Sequence, residues 1–354
     1  MKVSIINRIF IVLLLVVLYS SNTFAKNIVI VATGGTIAGS AQQSTDTTGY
    51  TAATLGVQAL INAVPEIKKV ANVTGEQVLQ IGSQDMDNEA WLKLAKKIDE
   101  LASSSSVDGI VITHGTDTIE ETAYFLNLVV NTKKPIVLVG AMRPATALSA
   151  DGPLNLLNAV IVANSKEAQG KGVLVVINDT IFGARDIAKT NTFLVNAFDA
   201  PNSGAMGYIQ SSKVFLYNNS SALNTSASEF NIKNISALPR VDILYGYANA
   251  GGEYVDYAVN TLKVKGIVYA GVGDGNFYKD VFPAVQNAVK NKVAVVRSSR
   301  VGSGIVARNG EVNDDENGFV AANNLNPQKA RVLLILALTK NNDPKYIQSV
   351  FNKY

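Results

Sequence analysis

Four short polar clusters each follow an apolar run of this 354-residue chain. They are Thr33-Gly-Gly-Thr36, Gly82-Ser-Gln-Asp85, His114-Gly-Thr-Asp-Thr118, and Asn178-Asp-Thr180 with Lys189 further on. The chemistry they offer is that of hydroxyls beside a carboxylate and an amine. The chain has no Cys and a single His, which removes thiolate nucleophiles, Cys-ligated zinc, iron–sulfur clusters and disulfides. At most one base remains for a Ser-His-Asp arrangement. Acid–base work must fall to Tyr, Lys, Asp or Glu, and neither a metal nor a cofactor is expected.

Gly34 and Gly35 suit a turn that swings the Thr36 hydroxyl into a crevice, since the segment fits neither the dinucleotide nor the P-loop glycine spacing. A Thr hydroxyl is a poor nucleophile until a neighbouring base takes its proton. Tyr50 on the same loop and a Lys are the candidates, a Lys being competent only where burial or a cationic neighbour lowers its pKa. Thr116 and Asp117 place a second hydroxyl beside a carboxylate, and Lys189 lies in a polar patch that could serve Thr116. His114 reads as a satisfied supporting group rather than a catalyst. The stretch 271–276 (GVGDGN) reads as a backbone turn presenting Asn276, and 310–316 as a solvated acidic loop.

These residues need a scaffold that gathers them. Short apolar runs alternate with helical patterns, the signature of an α/β fold with a mainly parallel sheet. Strands are expected at 27–33, 77–81, 109–113, 135–140 and 172–177, with helices at 56–64, 87–101, 120–131 and 153–164. The helix at 87–101 is the clearest, with Trp91, Leu94, Ala95, Ile98 and Leu101 on one face. The polar stretch 218–231 reads as a linker to a smaller α/β unit with strands at 242–247, 266–270 and 293–298 and helices at 327–339 and 344–352. The expected division is therefore an N-terminal catalytic domain over 26–217, a linker over 218–238 and a C-terminal domain over 239–354. In open α/β sheets ligands bind outside the carboxyl ends of the strands. Four clusters at such ends argue for one shared site.

Lys2 and Arg8 precede the apolar run 9–18, and small polar residues lead to Ala25. A basic start, a short apolar core and a small residue before the break describe a secretory signal peptide over 1–25; a bilayer span takes about 20 apolar residues. Cleavage leaves a periplasmic protein with no membrane attachment. The net charge of +3 falls to a balance of 29 basic against 28 acidic residues without Lys2 and Arg8. Near-neutrality offers no electrostatic footprint for nucleic acid.

The motifs ATGGTIAG (32–39), IGSQDM (81–86), VITHGTDT (111–118), VGAMRP (139–144), SADGP (149–153), AGVGDGN (270–276), VRSSRVGSG (296–304) and NPQKARVLL (326–334) resemble the bacterial type II L-asparaginases of the asparaginase/glutaminase family, in order and spacing, over residues 27–354. The resemblance implies an exported amidohydrolase that converts L-asparagine and water to L-aspartate and ammonia, with some activity on L-glutamine. Thr36 matches the family's nucleophile, and Tyr50 the Tyr beside it. Thr116 and Lys189, with Asp117, match a second Thr-Lys-Asp set that activates a hydroxyl or water. Ser83, Gln84 and Asp117 match groups that hold the α-carboxylate and α-amino group. Asn276 and Glu311 match residues given by the neighbouring subunit, implying a homotetramer built from intimate dimers.

Which Thr attacks first follows from the resemblance alone. Asp274 stands where many relatives have Asn, and the Cys pair that some relatives link is absent. Asn276 is kept where glutaminase-leaning relatives often carry Ser, which favours asparagine. From the residues by themselves, a periplasmic amino-acid binding protein and a nucleotide-binding module built on GVGDGN are the competing readings.

Overall fold

The computed structural model describes residues 25–354, so all of the expected export segment 1–25 but Ala25 lies outside the described residues. Strands β1 (Asn27–Gly34), β2 (Asn72–Ile81), β3 (Gly109–Thr113), β4 (Ile136–Val139), β5 (Val173–Ile177) and β6 (Thr180–Gly183) enter the large sheet in turn. A two-residue ribbon, β7 (Ala188–Lys189) with β8 (Phe198–Asp199), stands apart, and β9 (Gly207–Gln210) and β10 (Lys213–Leu216) complete the sheet. The order is β10-β9-β6-β5-β4-β3-β1-β2. From β2 to β5 every pairing is parallel, and β6, β9 and β10 return antiparallel.

The central strands are uninterrupted apolar runs, as strands covered on both faces must be. Strand β2 begins at Asn72 rather than at Gln77 as expected. Pairing with β1, Asn27 opposite Asn72, recruits a polar stretch at the sheet edge where side chains face water. The antiparallel return was not anticipated. Its tight turns are Asn178–Asp179 and Ser211–Ser212, all four at positive φ, as two-residue hairpins of this hand require.

Helices α1 (Val57–Ala63) and α4 (Gly152–Asn164) cover one face of the large sheet; α2 (Asn88–Ser103) and α3 (Ile119–Val129) cover the other. The Asp87 side chain caps α2 by accepting the Ala90 N–H. The smaller sheet, all parallel, has the order β11 (Val241–Tyr245), β12 (Gly266–Gly271), β13 (Ala294–Ser299), β14 (Val320–Ala321). Helices α5 (Glu253–Asn260) and α6 (Phe282–Lys290), neither expected, cover its outer face. On its inner face lie α7 (Pro327–Leu338) and α8 (Pro344–Phe351).

Helix α7 is buried on nearly every side, the mark of a helix inside a core. It packs on α3 as well as on β11 and β12, so the inner faces of the two sheets share one apolar core. The low-hydrophobicity stretch after β10 is part of that core too: Phe230, Ile232 and Ile235 are buried in it. The helix expectation at 327–339 and the helices at 88–103, 119–129 and 152–164 agree with the observed elements to within a few residues.

Candidate active site

The chain runs from β1 outward to β2, then crosses back to β3 on the other side of β1 and continues to β4 and β5. The order of the sheet thus reverses between β1 and β3. At such a switch point the loops leaving the two strands diverge and open a crevice at their carboxyl ends. Thr36 follows β1 and Thr116 follows β3, so both hydroxyls come to that crevice.

Glycine makes the approach possible. Gly34 and Gly35 have φ of 111° and 81°, values that side-chain-bearing residues rarely adopt. A Cβ on Gly35 would sit 2.3 Å from the Gly115 amide nitrogen, and one on Gly115 would sit 2.5 Å from Ser83 Oγ. The loops after β1, β2 and β3 are therefore packed backbone to backbone. Gly35 N donates to Ile81 O at 3.0 Å, tying the first loop to the end of β2.

Thr36 opens a short 3-10 turn and is buried. Its Oγ1 lies 2.6 Å from the Tyr50 hydroxyl. Tyr50 arrives on a loop closed by the Ser40–Thr51 bridge, and the Asp46 carboxylate accepts the N–H groups of Thr48 and Gly49 within that loop. Lys189 Nζ donates to Thr116 Oγ1 at 3.0 Å and to Asp117 Oδ1 at 2.6 Å. Ser83 is buried, accepting the Asp117 N–H on Oγ at 3.2 Å and the Thr118 hydroxyl on its carbonyl at 2.8 Å. Gln84 is exposed and reaches Asp85 at 3.3 Å.

The site thus combines a Thr-Tyr hydroxyl pair with a Thr-Lys-Asp set. It brings two hydroxyls within hydrogen-bond reach of a phenol, an amine and a carboxylate. Among the described residues, no group of three or more His, Asp or Glu side chains converges as metal ligands would.

His114 is fully buried, and its Nδ1 donates to the Gly115 carbonyl at 2.8 Å. Burial pushes its pKa down to about 4, against the weaker pull of that carbonyl. It is neutral near pH 7 and makes no hydrogen bond to Thr36 or Thr116, but its Nε2 is buried without a partner, so it is not the satisfied group expected from sequence. The fourth cluster divides. Asn178 and Asp179 form the β5–β6 turn, tied to Asn155 and Asn158 of α4, and only Lys189 beyond it reaches the Thr116 set.

Asn276 and Glu311 lie on the smaller domain and hydrogen-bond to each other, Nδ2 donating to Oε2. Neither bonds to Thr36, Tyr50, Thr116, Asp117 or Lys189 of the same chain among the described residues. Asn276 Oδ1 is buried without a partner. Most of the acidic stretch 310–316 is solvated as expected, with Glu311, Asp315 and Glu316 exposed, but Asp314 is the exception. Asp314 is fully buried against the Arg297 guanidinium, which neutralises it; only a charge so paired is tolerated inside.

Sequence reasoning passed over Asp151 and Asn155. The Asp151 carboxylate accepts the N–H groups of Met142 and Arg143 at 2.9 and 3.0 Å, and Asn155 Nδ2 donates to Gly140 O at 3.0 Å. A Cβ on Gly140 would meet His114 O and Thr116 Cγ2 at 2.9 and 3.0 Å, so this loop backs the Thr116 segment. The run ADGP, an acid just ahead of a helix-opening Pro, was the available signal.

Fold and site together give a two-domain α/β protein that gathers hydroxyls and a lysine at the switch point of a mainly parallel sheet. Comparison with known proteins gives the family. The model described as "Asparaginase, N-terminal" matches residues 27–222, and that described as "Glutaminase/Asparaginase C-terminal domain" matches 240–351. A probable periplasmic L-asparaginase of Haemophilus influenzae is 53% identical, over 93% of each chain. L-asparaginase 2 of Escherichia coli is 52% identical over 93% of each chain, and a glutaminase-asparaginase of Pseudomonas fluorescens is 49% identical over 94% of this chain and 92% of that one. The crystal structure of a probable cytoplasmic L-asparaginase from Campylobacter jejuni superposes with a TM-score of 0.90 at 50% identity, covering 93% of this chain and all of the other. The chain belongs to the asparaginase/glutaminase family of amidohydrolases.

Proposed function

We propose that this enzyme hydrolyses the side-chain amide of L-asparagine to L-aspartate and ammonia through an acyl-enzyme on Thr36, with L-glutamine as a secondary substrate. The observation that carries the reading is the 2.6 Å contact of Thr36 Oγ1 with the Tyr50 hydroxyl, beside a loop that holds Lys189 on Thr116 and Asp117. Thr36 Oγ attacks the amide carbon as Tyr50 relays its proton, and the C–N bond breaks as nitrogen takes a proton and leaves as ammonia. Water, activated at Thr116 by Lys189 and Asp117, then attacks the ester carbon. The proton lost from water returns to Thr36 Oγ as the acyl bond breaks. Backbone N–H groups around Thr36 and Thr116 are the oxyanion donors in this scheme.

Ser83 and backbone N–H groups hold the α-carboxylate; Asp117, Gln84 and the neighbouring subunit's copies of Asn276 and Glu311 hold the α-ammonium side. Two observations support a site shared between subunits in a homotetramer: among the described residues Asn276 and Glu311 make no hydrogen bond to this chain's own Thr36 or Tyr50, and Asn276 Oδ1 is an orphaned acceptor. A buried polar atom without a partner is costly, and an incoming chain or ligand would satisfy it. Export to the periplasm rests on the basic-apolar start of the sequence. Similar proteins carry both periplasmic and cytoplasmic names.

The test is an ammonia-release assay with L-asparagine, L-glutamine and their D-isomers between pH 6 and 9. Release from L-asparagine above the other three supports the proposal. No release from any of them overturns it. Tight binding of unreacted asparagine by calorimetry would instead make the chain a binding protein.

A further inference from the structure

The strand that carries Lys189 is two residues long, Ala188–Lys189, paired only with Phe198–Asp199. So short a ladder cannot fix its own backbone. A Lys side chain has many rotamers to lose, so its Nζ is placed on Thr116 reliably only if its Cα is held. Beyond Lys189 the Thr190 and Asn191 N–H groups donate to Ala197 O within the hairpin, but the anchors at and before Lys189 come from elsewhere. Glu120 Oε2 accepts the Lys189 backbone N–H at 3.0 Å. Lys329 Nζ donates to the carbonyl of Ile187, two residues upstream.

Both anchors are buried, Glu120 to 5% and Lys329 to 2% exposure. They are joined through Asn326, the cap of α7. Its Nδ2 donates to Glu120 Oε1 at 3.2 Å, and its Oδ1 accepts the Lys329 N–H at 3.0 Å. One asparagine therefore begins the C-terminal helix and orients the carboxylate that grips Lys189. Burial lowers the Lys329 pKa, while the negative charge of Glu120 opposes that shift.

We propose that Glu120 is a positioning residue for Lys189, set in place by Asn326 and seconded by Lys329, so that the C-terminal domain of the same chain aims the amine at Thr116. Glu120 does not touch substrate in this scheme; it acts through the backbone of Lys189. The inference rests on Lys189 acting at Thr116 as described above. A displacement of about 1 Å in such a group lowers turnover on the order of 100-fold. The substrate-holding groups Ser83, Gln84 and Asp117 are not anchored by Glu120, so binding should be spared.

The experiment compares Glu120→Ala, Glu120→Gln and Asn326→Ser with the full-length enzyme on asparagine, with melting temperature measured in parallel. Glu120→Ala should lower kcat about 10- to 100-fold with KM within about threefold. Glu120→Gln keeps one oxygen for the Lys189 N–H but turns its amide NH2 onto the Asn326 donor, so kcat should fall by an intermediate factor, less than in Glu120→Ala. Asn326→Ser retains the helix cap but withdraws the donor to Glu120, so kcat should fall by an intermediate factor. A folded Glu120→Ala enzyme with unchanged kcat overturns the proposal, as does Glu120→Gln losing as much kcat as Glu120→Ala. If Glu120→Ala does not fold, an unchanged kcat in Asn326→Ser overturns it. Wild-type enzyme inert on asparagine would instead overturn the function proposed above.

Discussion

Arg297 grips both carboxylate oxygens of Asp314, Nε to Oδ1 at 2.6 Å and Nη2 to Oδ2 at 2.7 Å, with the two side chains 1% and 0% exposed. The guanidinium also donates to the carbonyls of Asp274, Gly275 and Ala307. Its planar fork of donors suits this role where a Lys ammonium would not. One side chain thus fastens the turn bearing Asn276 to the loop bearing Glu311. Asp274 Oδ1 adds a bond from the Ala307 N–H at 2.8 Å, so Asp274 joins the same two loops.

Breaking this pair on one side strands a buried charge, which costs about 3–5 kcal/mol. Arg297→Met and Asp314→Leu should each lower the urea midpoint by that equivalent. The double variant should be more stable than either single one, because no lone charge remains. Single variants as stable as the wild type would contradict the account.

Thr36→Ala and Thr116→Val should each lower kcat/KM for asparagine by about three orders of magnitude or more, the loss expected for a nucleophile or its activating group. Tyr50→Phe should cost less, chiefly in acylation, because it removes the proton relay at 2.6 Å and leaves the attacking oxygen. Steady-state and pre-steady-state ammonia release check both. Retained activity in either Thr variant refutes its role.

Gly35→Ala places a methyl 2.3 Å from the Gly115 nitrogen at a φ of 81°. Gly115→Ala drives one against Ser83 Oγ at 2.5 Å. Neither contact can be relieved without parting the loops after β1, β2 and β3. Both variants should lose activity at least 100-fold, since about 1 Å of misplacement suffices for that. The Gly35 variant should melt lower as well. Kinetics with calorimetry would show it, and full activity in either variant would mean the loops yield more than their packing indicates.

His114, fully buried, and Glu121, half-buried, titrate in opposite senses. His114 takes a proton at about 6.5 when unfolded but only at about 4 when folded, because burial disfavours the imidazolium. Its contribution is full above pH 6.5 and is lost as pH falls through 4. Burial raises the Glu121 carboxyl from 4.5 to about 7, against the pull of Arg331. Its contribution is full below pH 4.5 and is lost as pH rises through 7. The slopes oppose each other between pH 4.5 and 6.5. Glu121→Gln removes one, so that variant should gain about 3 kcal/mol relative to wild type across this window. Urea melts of both proteins at pH 4.5, 5.5 and 6.5 measure the difference; parallel curves would refute it.

The central strands were legible because each is an apolar run long enough to cross a sheet buried on both faces. The first half of β2 was not, since Asn72–Glu76 has no pattern of its own and becomes strand only by pairing with β1. The hairpins at Asn178–Asp179 and Ser211–Ser212 lacked the Gly that usually marks such turns. Helices α5 and α6 are short, at eight and nine residues, and their apolar periodicity spans too few turns to stand out. Among the site residues, Thr36 with Tyr50 and Thr116 with Asp117 are near neighbours in the chain, and their pairing could be considered from spacing. Lys189 lies 73 residues from Thr116, and its claim in sequence rested on the need for a base.

By itself the sequence determined the palette of chemistry and the scaffold. Without Cys, and with one His, reaction had to fall to hydroxyls, amines and carboxylates, and alternating apolar runs and helices had to make an α/β fold. These are local properties, set by residue type and period. Tertiary structure alone decided what those residues meet. The strand order put the loops of β1 and β3 at one switch point, glycine let their backbones touch, and burial made His114 neutral. Burial also turned Asp314 of the acidic loop into the anchor for Arg297, and it brought a C-terminal helix against Glu120. Such contacts join residues far apart in the chain, so no local pattern encodes them; they exist only once the two sheets close on their common core.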